Sequence, residues 1–442
     1  MTTYIYEPYD TIIARDGRPF TIDPGARAET LPFPTPSMTA GLLRSQALLN
    51  WVGAPDSNGR YDEEHIKAVL ELTVHGPLLA QLEMHEKNIQ NWFVSAPKDA
   101  LLLKQSQNGT GKYLRRLRPA ALPKGAVTDL TDSIAPDLQM LQMDTWEESK
   151  ADAMPEFWRW DLFELWLAEY PLQFYSKKDP QDNILHVAEI QSAGKISQMM
   201  FENHTIKSLL KSTRTHLKVQ NDTRTSQDGM LFETNGLEFT YKSSFTHEVI
   251  RLGLACDASV SLSNTAASAG SIEKYSVAFG GERRFGMLQN STHTLPPCPK
   301  AITEEIARTG RCRVFLLTPA YFSEGYQPTW LLQDPFSTGV QAVLKAAAID
   351  RPLTLSGWDM HKKWPKPTVR MAPAGTVFFL ELQGSAEQRK KWIEHVWMSN
   401  ISDDITNASV YWNTISQSPE QFRRDGFGLA ALGTWTEKEA KA

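Results

Sequence analysis

The 442-residue sequence contains few cysteines, and none of them has the spacing of a metal site. Its three cysteines are Cys256, Cys298 and Cys312, and no two of them form a CxxC motif. An odd number of scattered cysteines argues against a zinc site or a disulfide framework and favours a reducing compartment.

Long apolar runs are also missing. No run approaches the roughly 20 apolar residues of a membrane-spanning helix. The first ten residues, MTTYIYEPYD, are typical of a strand rather than of a signal peptide. We therefore expect a soluble, cytoplasmic protein that has no membrane partner.

The common enzyme motifs are absent as well. The sequence has no GxxxxGK[ST] phosphate loop, no GxGxxG after an early strand, no GxSxG nucleophile elbow and no HExxH. These absences argue against nucleotide-dependent enzymes, serine hydrolases and zinc proteases, so we expect neither a cofactor nor a metal.

Positive charge is unevenly distributed in a chain whose net charge is −5. An acidic protein as a whole does not indicate nucleic-acid binding, but three basic segments favour a local track for a polyanion. These segments contain Lys112, Arg115, Arg116, Arg118 and Lys124; Lys207, Lys211, Arg214 and Lys218; and Lys362, Lys363, Lys366 and Arg370.

Hydrophobic periodicity places the first elements. It predicts a strand over Tyr4–Ala14, a turn at residues 15–20, and a helix over Met38–Val52 capped by Ser37. Residues 62–200 are predicted to be a helical and irregular insertion. Its aromatic residues, such as Trp158 and Trp166, recur at helical spacing, so we expect them in the core rather than on RNA.

The later segments return to strand patterns. The stretch from Val219 to Tyr241 contains the turn dipeptides Asp228-Gly229 and Asn235-Gly236, which predict an exposed β-hairpin. Strands and helices alternate, which fits α+β domains. The length favours two domains, and no internal repeat is visible.

The stretch VAFGGERRFGM, residues 277–287, combines a glycine pair with two arginines. Gly280 and Gly281 would let a phosphate approach backbone N–H groups, and Arg283 and Arg284 would donate to its oxygens. Similar chemistry recurs elsewhere, at Arg15, Gly17 and Arg18 and at Gly426, Gly428 and Gly433. Trp358 and Trp364, beside Lys363 and Lys366, would add base stacking. Together these segments favour a track for single-stranded RNA or DNA.

A different class of function stays open. A metal-independent ribonuclease uses a histidine as general base, with lysine or arginine stabilising the charged transition state. His204, His216 and His361 each have basic neighbours.

Several motifs between residues 6 and 435 occur in the order found in one family. They are YEPYDTIIARDGRPF, PFPTPSMTAGLLRSQAL, AFGGERR, LLTPAYF, SGWDMHKKWPKP, APAGTVFFLE and GFGLAALGTW. The sequence thereby resembles the RAMP-superfamily proteins that form the third subunit of the Cmr effector complex in type III-B CRISPR systems. The region of about 62–200 lies outside the resemblance.

The resemblance implies two ferredoxin-like (RRM-type) folds. The first would span residues 1–295, with the insertion at about 62–200 and a thumb-like hairpin at about 214–242. The second would span residues 296–442 and carry the glycine-rich loop.

The resemblance also implies a non-catalytic protein that grips the 5′ handle of the crRNA in antiviral defence. Its neighbours would be the large polymerase/cyclase-like subunit and the first backbone RAMP subunit. The alternative within the superfamily is an endoribonuclease that processes precursor CRISPR RNA. The positions that match the family's RNA-binding segments are Arg15, Gly17, Arg18, Gly41, Arg44, Gly280, Gly281, Arg283, Arg284, Gly426, Gly428 and Gly433, with a weaker match at Lys218 and Arg224.

Overall fold

A computed structural model describes most of the chain. The described residues are 1–15, 27–83, 88–104, 112–121, 125, 138–143, 149–170, 174–175, 196–243, 248–259, 274–359, 364–405 and 418–437. Gly17, Arg18, His361 and Lys363 lie outside them.

The largest sheet has nine strands and is antiparallel. Its order is β11-β8-β4-β3-β15-β1-β17-β16, and β14 pairs separately with β15. The strands are β1 (Thr2–Pro8), β3 (Val74–Leu82), β4 (Ile89–Ser95), β8 (Phe157–Arg159), β11 (Thr205–Ile206), β14 (Thr240–Lys242), β15 (Val249–Ala258), β16 (Lys274–Phe279) and β17 (Arg284–Ser291).

A second antiparallel sheet is built from the later part of the chain. Its order is β19-β24-β18-β25. The strands are β18 (Arg311–Leu316), β19 (Gln341–Ala348), β24 (Val377–Gln383) and β25 (Ala430–Thr434).

The remaining strands form small sheets. They are β2 (Arg27–Ala28), β12 (Leu210–Val219) and β13 (Ser226–Glu238); β5 (Ala100–Lys104), β6 (Lys112–Ala120) and β7 (Met140–Met143); and the pairs β9 (Phe174–Tyr175) with β10 (Ile196–Ser197), β20 (Leu353–Leu355) with β23 (Val369–Met371), and β21 (Trp358–Asp359) with β22 (Trp364–Pro365). Most pairings are antiparallel, and the mixture of helices with such sheets confirms the predicted α+β class.

The helices of the described residues mostly pack between or beside these sheets. They are α1 (Pro36–Trp51), α2 (Glu63–Leu70), α3 (Trp160–Leu167), α4 (Gln198–Asn203), α5 (Lys300–Thr309), α6 (Thr329–Leu332), α7 (Ala386–Val396) and α8 (Gln421–Asp425). Helix α1 begins two residues before the predicted Met38, because Pro36 fits the first helical turn, where its missing N–H costs nothing. Thr35, not Ser37, is the N-cap residue, and its side chain accepts no capping hydrogen bond.

The two large sheets share one strand order. In the second, the chain runs β18, α6, β19, β24, α7, β25, and the spatial order of the four strands is second, third, first, fourth. In the first, β1, β3, β15 and β17 follow the same order, and α1 connects the first two strands. The structure thus contains a repeat that the sequence does not reveal.

The predicted helical insertion at 62–200 is wrong in its secondary structure and in where it begins. β3 and β4 lie in this region and are internal strands of the first sheet. β3 is one of the four repeated strands and its residues are mostly buried, so it belongs to the framework. The inserted material lies between β3 and β15, and much of it is strand.

The predicted hairpin is confirmed, but its turn is not where the dipeptides indicated. β12 and β13 pair from Leu210 opposite Glu238 to Val219 opposite Ser226, so the turn lies at residues 220–225. Asp228-Gly229 and Asn235-Gly236 are within β13. Gly236 is needed for close approach, because a Cβ there would lie within 2.4 Å of the Thr11 hydroxyl.

A buried polar seam joins strand β18 of the second sheet to Asp99 and helix α3 of the first half. Arg313 of β18 lies 2.6 Å from Asp99, and both side chains are fully buried. Trp166 donates its Nε1–H to Asp99 over 2.8 Å, and its carbonyl accepts from Arg313 over 2.7 Å. Trp158 and Trp166 are in the core, as predicted. The strands of the first sheet end at Ser291 and those of the second begin at Arg311, while the domain boundary at 295/296 stays a prediction.

No helix in the described part of the chain is both long enough and apolar enough to cross a bilayer.

Candidate nucleic-acid interface

The glycine pair of the GGERR segment lies in a tight turn before β17. Gly280 has φ +75°, and a Cβ there would lie 2.7 Å from the carbonyl oxygen of Ile13. The Gly281 N–H donates to the same oxygen over 2.8 Å. The close neighbour of this glycine pair is therefore the chain's own backbone, which requires glycine whether or not a phosphate also binds.

The two arginines that follow have different surroundings. Arg284 donates to Asp10 Oδ2 and to Glu282 Oε2, each over 2.6 Å, and its side chain is mostly covered. Arg283 is exposed, has φ +50°, and has no hydrogen-bond or ion-pair partner among the described residues. Of these two arginines, Arg283 is the one whose guanidinium is free of partners in the described structure.

Asp10 connects this turn to the hairpin. Its carboxylate accepts from Arg214 of β12 over 2.5 and 3.0 Å, and also from Arg284. The Arg214 hydrogen bond is the largest cause that lowers the pKa of Asp10 below its usual range, and Arg284 adds to it. One carboxylate thereby holds the base of the hairpin against the turn.

His216 lies on the same face of the hairpin. Its Nε2 is 2.8 Å from the Thr234 hydroxyl and 4.0 Å from Glu282 Oε1, and its ring stacks on Phe232 at 5.0 Å. The contacts with Thr234 and Phe232 lie within the hairpin, and the one with Glu282 is to the turn. His204, the other described histidine with basic neighbours, is buried, with Nε2 3.4 Å from Asp161 Oδ2.

The outer part of the hairpin is exposed and cationic. The side chains of Lys218 and Arg224 are exposed and have no hydrogen-bond or ion-pair partner among the described residues. Arg224 lies in the turn and has φ +54°. Leu217 and Leu231 lie opposite each other and are both more than half exposed. Arg15 is exposed at the edge of this region, next to Thr30.

Arg44 lies in the interior. Its guanidinium forms an ion pair with Asp425 and donates to the carbonyl oxygens of Val69 and Leu72 over 3.0 and 2.9 Å. A phosphate cannot reach it without breaking these bonds, so we leave Arg44 out of the interface. Gly41 is exposed on α1, with open space around it.

The C-terminal glycines are buried by the chain itself. A Cβ at Gly426 would lie 2.5 Å from the carbonyl oxygen of Gly76, and one at Gly428 would lie 2.7 Å from the amide nitrogen of Ser402. At Gly433, a Cβ would lie 2.8 Å from the Leu167 carbonyl oxygen. These glycines allow backbone segments to pack closely, and none is accessible to RNA in this structure.

Several described residues of the other basic segments are buried or paired. Arg116 is buried, its guanidinium 3.9 Å from the centre of the Trp166 ring, and burial lowers its pKa to about 9. Arg118 pairs with Glu169. Lys366 is partly buried, and its backbone N–H donates to the carbonyl oxygen of Gly357 over 2.7 Å.

Sequence reasoning missed the residues that organise the interface. Asp10 and Arg214 were not linked to the GGERR turn, since they are far from it in sequence. Arg313 did carry a signal, because a charged side chain in the middle of the apolar run RCRVFLL requires a buried partner.

Comparisons with known proteins give one family. The family model described as "CRISPR-associated protein (Cas_Cmr3)" matches residues 4–435. No curated protein matches the sequence.

Sixteen solved chains match the structure. Two come from cryo-EM structures of the type III-B Cmr-β complex bound to cognate target RNA, one of them also with AMPPnP. The AMPPnP-bound structure gives a TM-score of 0.44 at 13% identity, and the other gives 0.43 at 15%. In both cases the match covers 98% of this chain and 99% of the other.

Proposed function

The chain belongs to the Cas_Cmr3 family of CRISPR-associated proteins, and from this premise we propose that it is a non-catalytic, RNA-binding subunit of a type III-B Cmr effector complex. The family match extends over almost the same residues as the ordered motifs, and it confirms the resemblance drawn from them. In this proposal the subunit grips the 5′ handle of the crRNA at the foot of the complex, in the cytoplasm.

The repeated strand order supports the proposed fold. The second half has a βαββαβ arrangement and the first half repeats its strand order of second, third, first, fourth, which is the order expected for a pair of ferredoxin-like RAMP folds. In the first half, the described part of the segment between β15 and β17 consists of β16 and the GGERR turn.

One surface feature carries the RNA-binding proposal. Lys218, Arg224 and Arg283 are exposed cations that have no acidic partner in the described part of the chain. Lys218 and Arg224 are on a hairpin that Asp10 fixes to the turn bearing Arg283. Free cations on a fixed framework bind phosphates without first breaking ion pairs. The large polymerase/cyclase-like subunit and the first backbone RAMP subunit are the proposed protein partners.

The test is binding of 5′-handle RNA, measured by fluorescence anisotropy over a range of salt concentrations. Replacing Lys218, Arg224 and Arg283 together by alanine should weaken binding at least tenfold. It should also reduce the slope of log K against log salt by about 2, since each lost phosphate contact on a single strand removes about 0.7. The matched control replaces Lys300, Lys390 and Lys391, which are exposed on α5 and α7.

Equal affinity and equal slope for the two triple variants would contradict the proposed interface. The same samples also test the non-catalytic role, because the RNA should remain intact. Site-specific cleavage by the purified chain would instead favour the endoribonuclease.

A further inference from the structure

Two exposed aromatic residues, Tyr9 and Phe285, lie opposite each other where β1 and β17 meet. The Tyr9 N–H donates to the Phe285 carbonyl over 3.1 Å, one residue beyond the Pro8–Gly286 pair. Directly opposed residues of antiparallel strands project to the same face. Tyr9 is 58% exposed and Phe285 57% exposed, although large aromatic residues in this protein are mostly buried.

The second sheet shows what the same position looks like when the chain covers it. There, the Leu317 N–H donates to the Leu429 carbonyl over 2.7 Å, just beyond the paired ends of β18 and β25. Leu317 is 4% exposed and Leu429 is fully buried. The repeat therefore places an apolar pair at this position in both halves, and in the described structure the pair of the first half is exposed whereas that of the second is buried.

The surroundings of the exposed pair favour a nucleic acid as the molecule that covers it. Arg283, two residues before Phe285, is exposed and unpaired among the described residues. The nearby carboxylates of Asp10 and Glu282 are already engaged by Arg284. On β16, Ala278 lies opposite Phe285 and is small and exposed, so it does not cover the ring.

We propose that Tyr9 and Phe285 form a stacking platform for an unpaired base of the bound RNA, and that Arg283 contacts a phosphate next to that base. Aromatic faces beside a free cation are the combination that binds single-stranded nucleic acid, because the bases stack while the backbone is neutralised. The inference rests on the proposed RNA-binding function and adds the chemistry of one nucleotide subsite.

The test uses the full chain, alone and assembled with its complex, and handle RNAs that carry 2-aminopurine at each position in turn. Stacking should quench the fluorophore at one position. Replacing Tyr9 and Phe285 by leucine keeps apolar surface but removes the aromatic faces, and it should abolish the quenching and weaken binding about tenfold. Phe285→Trp should retain both.

An abasic RNA separates stacking from other effects. If the platform is correct, an abasic site at the quenched position weakens wild-type binding about as much as the leucine changes do, and the two together cost no more than either alone. Additive losses, or leucine variants with normal quenching, would overturn the platform while leaving the effect of Arg283→Ala intact.

Two further outcomes are distinguishable. If the leucine variants bind RNA normally but fail to assemble, the pair contacts a partner protein and the stacking proposal is wrong. If wild-type chain binds no handle RNA in any state, the proposed function itself fails.

Discussion

The turn before β17 and the segment before β25 occupy the same place in the two sheets, yet their environments are opposite. Both are rich in glycine and arginine: residues 280–284 read GGERR, and residues 423–428 read RRDGFG. The first is at the surface with a free guanidinium, whereas Gly426 and Gly428 of the second are buried. The two segments thus share composition and position in the sheet, and they differ in whether other parts of the chain cover them.

The first half of the chain covers part of the second segment. Asp425 pairs with Arg44 of α1, and Gly426 lies against the backbone of β3. No described part of the second half packs in the same way over the first turn. The comparison teaches that a glycine-arginine motif predicts close backbone packing, and that burial decides whether its partner is protein or RNA.

The largest expected effect comes from the seam beside the buried segment. Arg313 lies opposite Gly433 in the sheet. Arg313→Met should destabilise the protein by about 3–5 kcal/mol, because Asp99 would be left as an uncompensated buried charge. Urea unfolding measures this change. Arg308→Met removes an exposed ion pair with Glu305 and should leave the midpoint unchanged.

A second replacement checks that the loss comes from unpaired charge. Combining Arg313→Met with Asp99→Leu should recover part of the stability lost in the single variant. A double variant less stable than Arg313→Met would contradict this explanation.

The next effect concerns a glycine of the buried segment. Gly426→Ala should cost about 1–3 kcal/mol from backbone strain, since φ is +102°, and more from contact with the Gly76 carbonyl. Gly41→Ala is the matched control: it has open space within α1 and should stabilise by about 0.5–1 kcal/mol. RNA affinity of the folded Gly426 variant should be normal. Lost affinity without lost stability would return this glycine to the interface.

The two adjacent arginines of the GGERR turn test the same contrast between a free and a covered group at neighbouring positions. Arg283→Ala should weaken handle binding about tenfold without changing the melting temperature, because it removes one charge-assisted contact and no internal bond. Arg284→Ala should lower the melting temperature, because Asp10 and Glu282 lose their partner. The reverse pattern in a paired binding and melting experiment would show that Arg284 is the residue that holds RNA.

The smallest expected effect is a pH dependence of the stability, caused by His75 of β3 next to Gly76. Burial is the largest cause that lowers the pKa of His75, although Asp257 and a backbone hydrogen bond oppose it. The unfolded chain therefore binds a proton as pH falls below about 6.5, before the folded protein does, and stability falls in that range. When the pH is lowered from 7.5 to 5.5, the melting temperature of the wild type should fall further than that of His75→Gln. Equal decreases would argue against His75 as the cause.

The parts of the fold that the sequence predicted are those in which local pattern and tertiary packing agree. Helix α1 was placed within two residues, since its leucines recur at core spacing and its prolines mark the start. The helical spacing of Trp158 and Trp166 predicted burial, and both side chains are in the core. Where two segments offered turn chemistry, as in the hairpin, strand pairing selected residues 220–225 over the glycine dipeptides.

The candidate site was less predictable, because its organisation depends on distant partners. Nothing local distinguishes Arg283 from Arg284, or Gly280 from Gly426. Arg284 differs from Arg283 because it pairs with Asp10, and Gly426 differs from Gly280 because it packs against the backbone of β3. Both contacts exist only in the tertiary structure.

The Arg44–Asp425 pair joins residues 381 positions apart, and this separation has a consequence for folding. Synthesis runs from the N-terminus, so α1 is complete long before its acidic partner exists. Forming a contact between such distant residues has a large loop-closure entropy cost, and proteins that depend on such contacts fold slowly. Until Asp425 arrives, α1 carries an unpaired guanidinium on a face that is later buried. The nascent first half is therefore most exposed to aggregation and proteolysis during that interval.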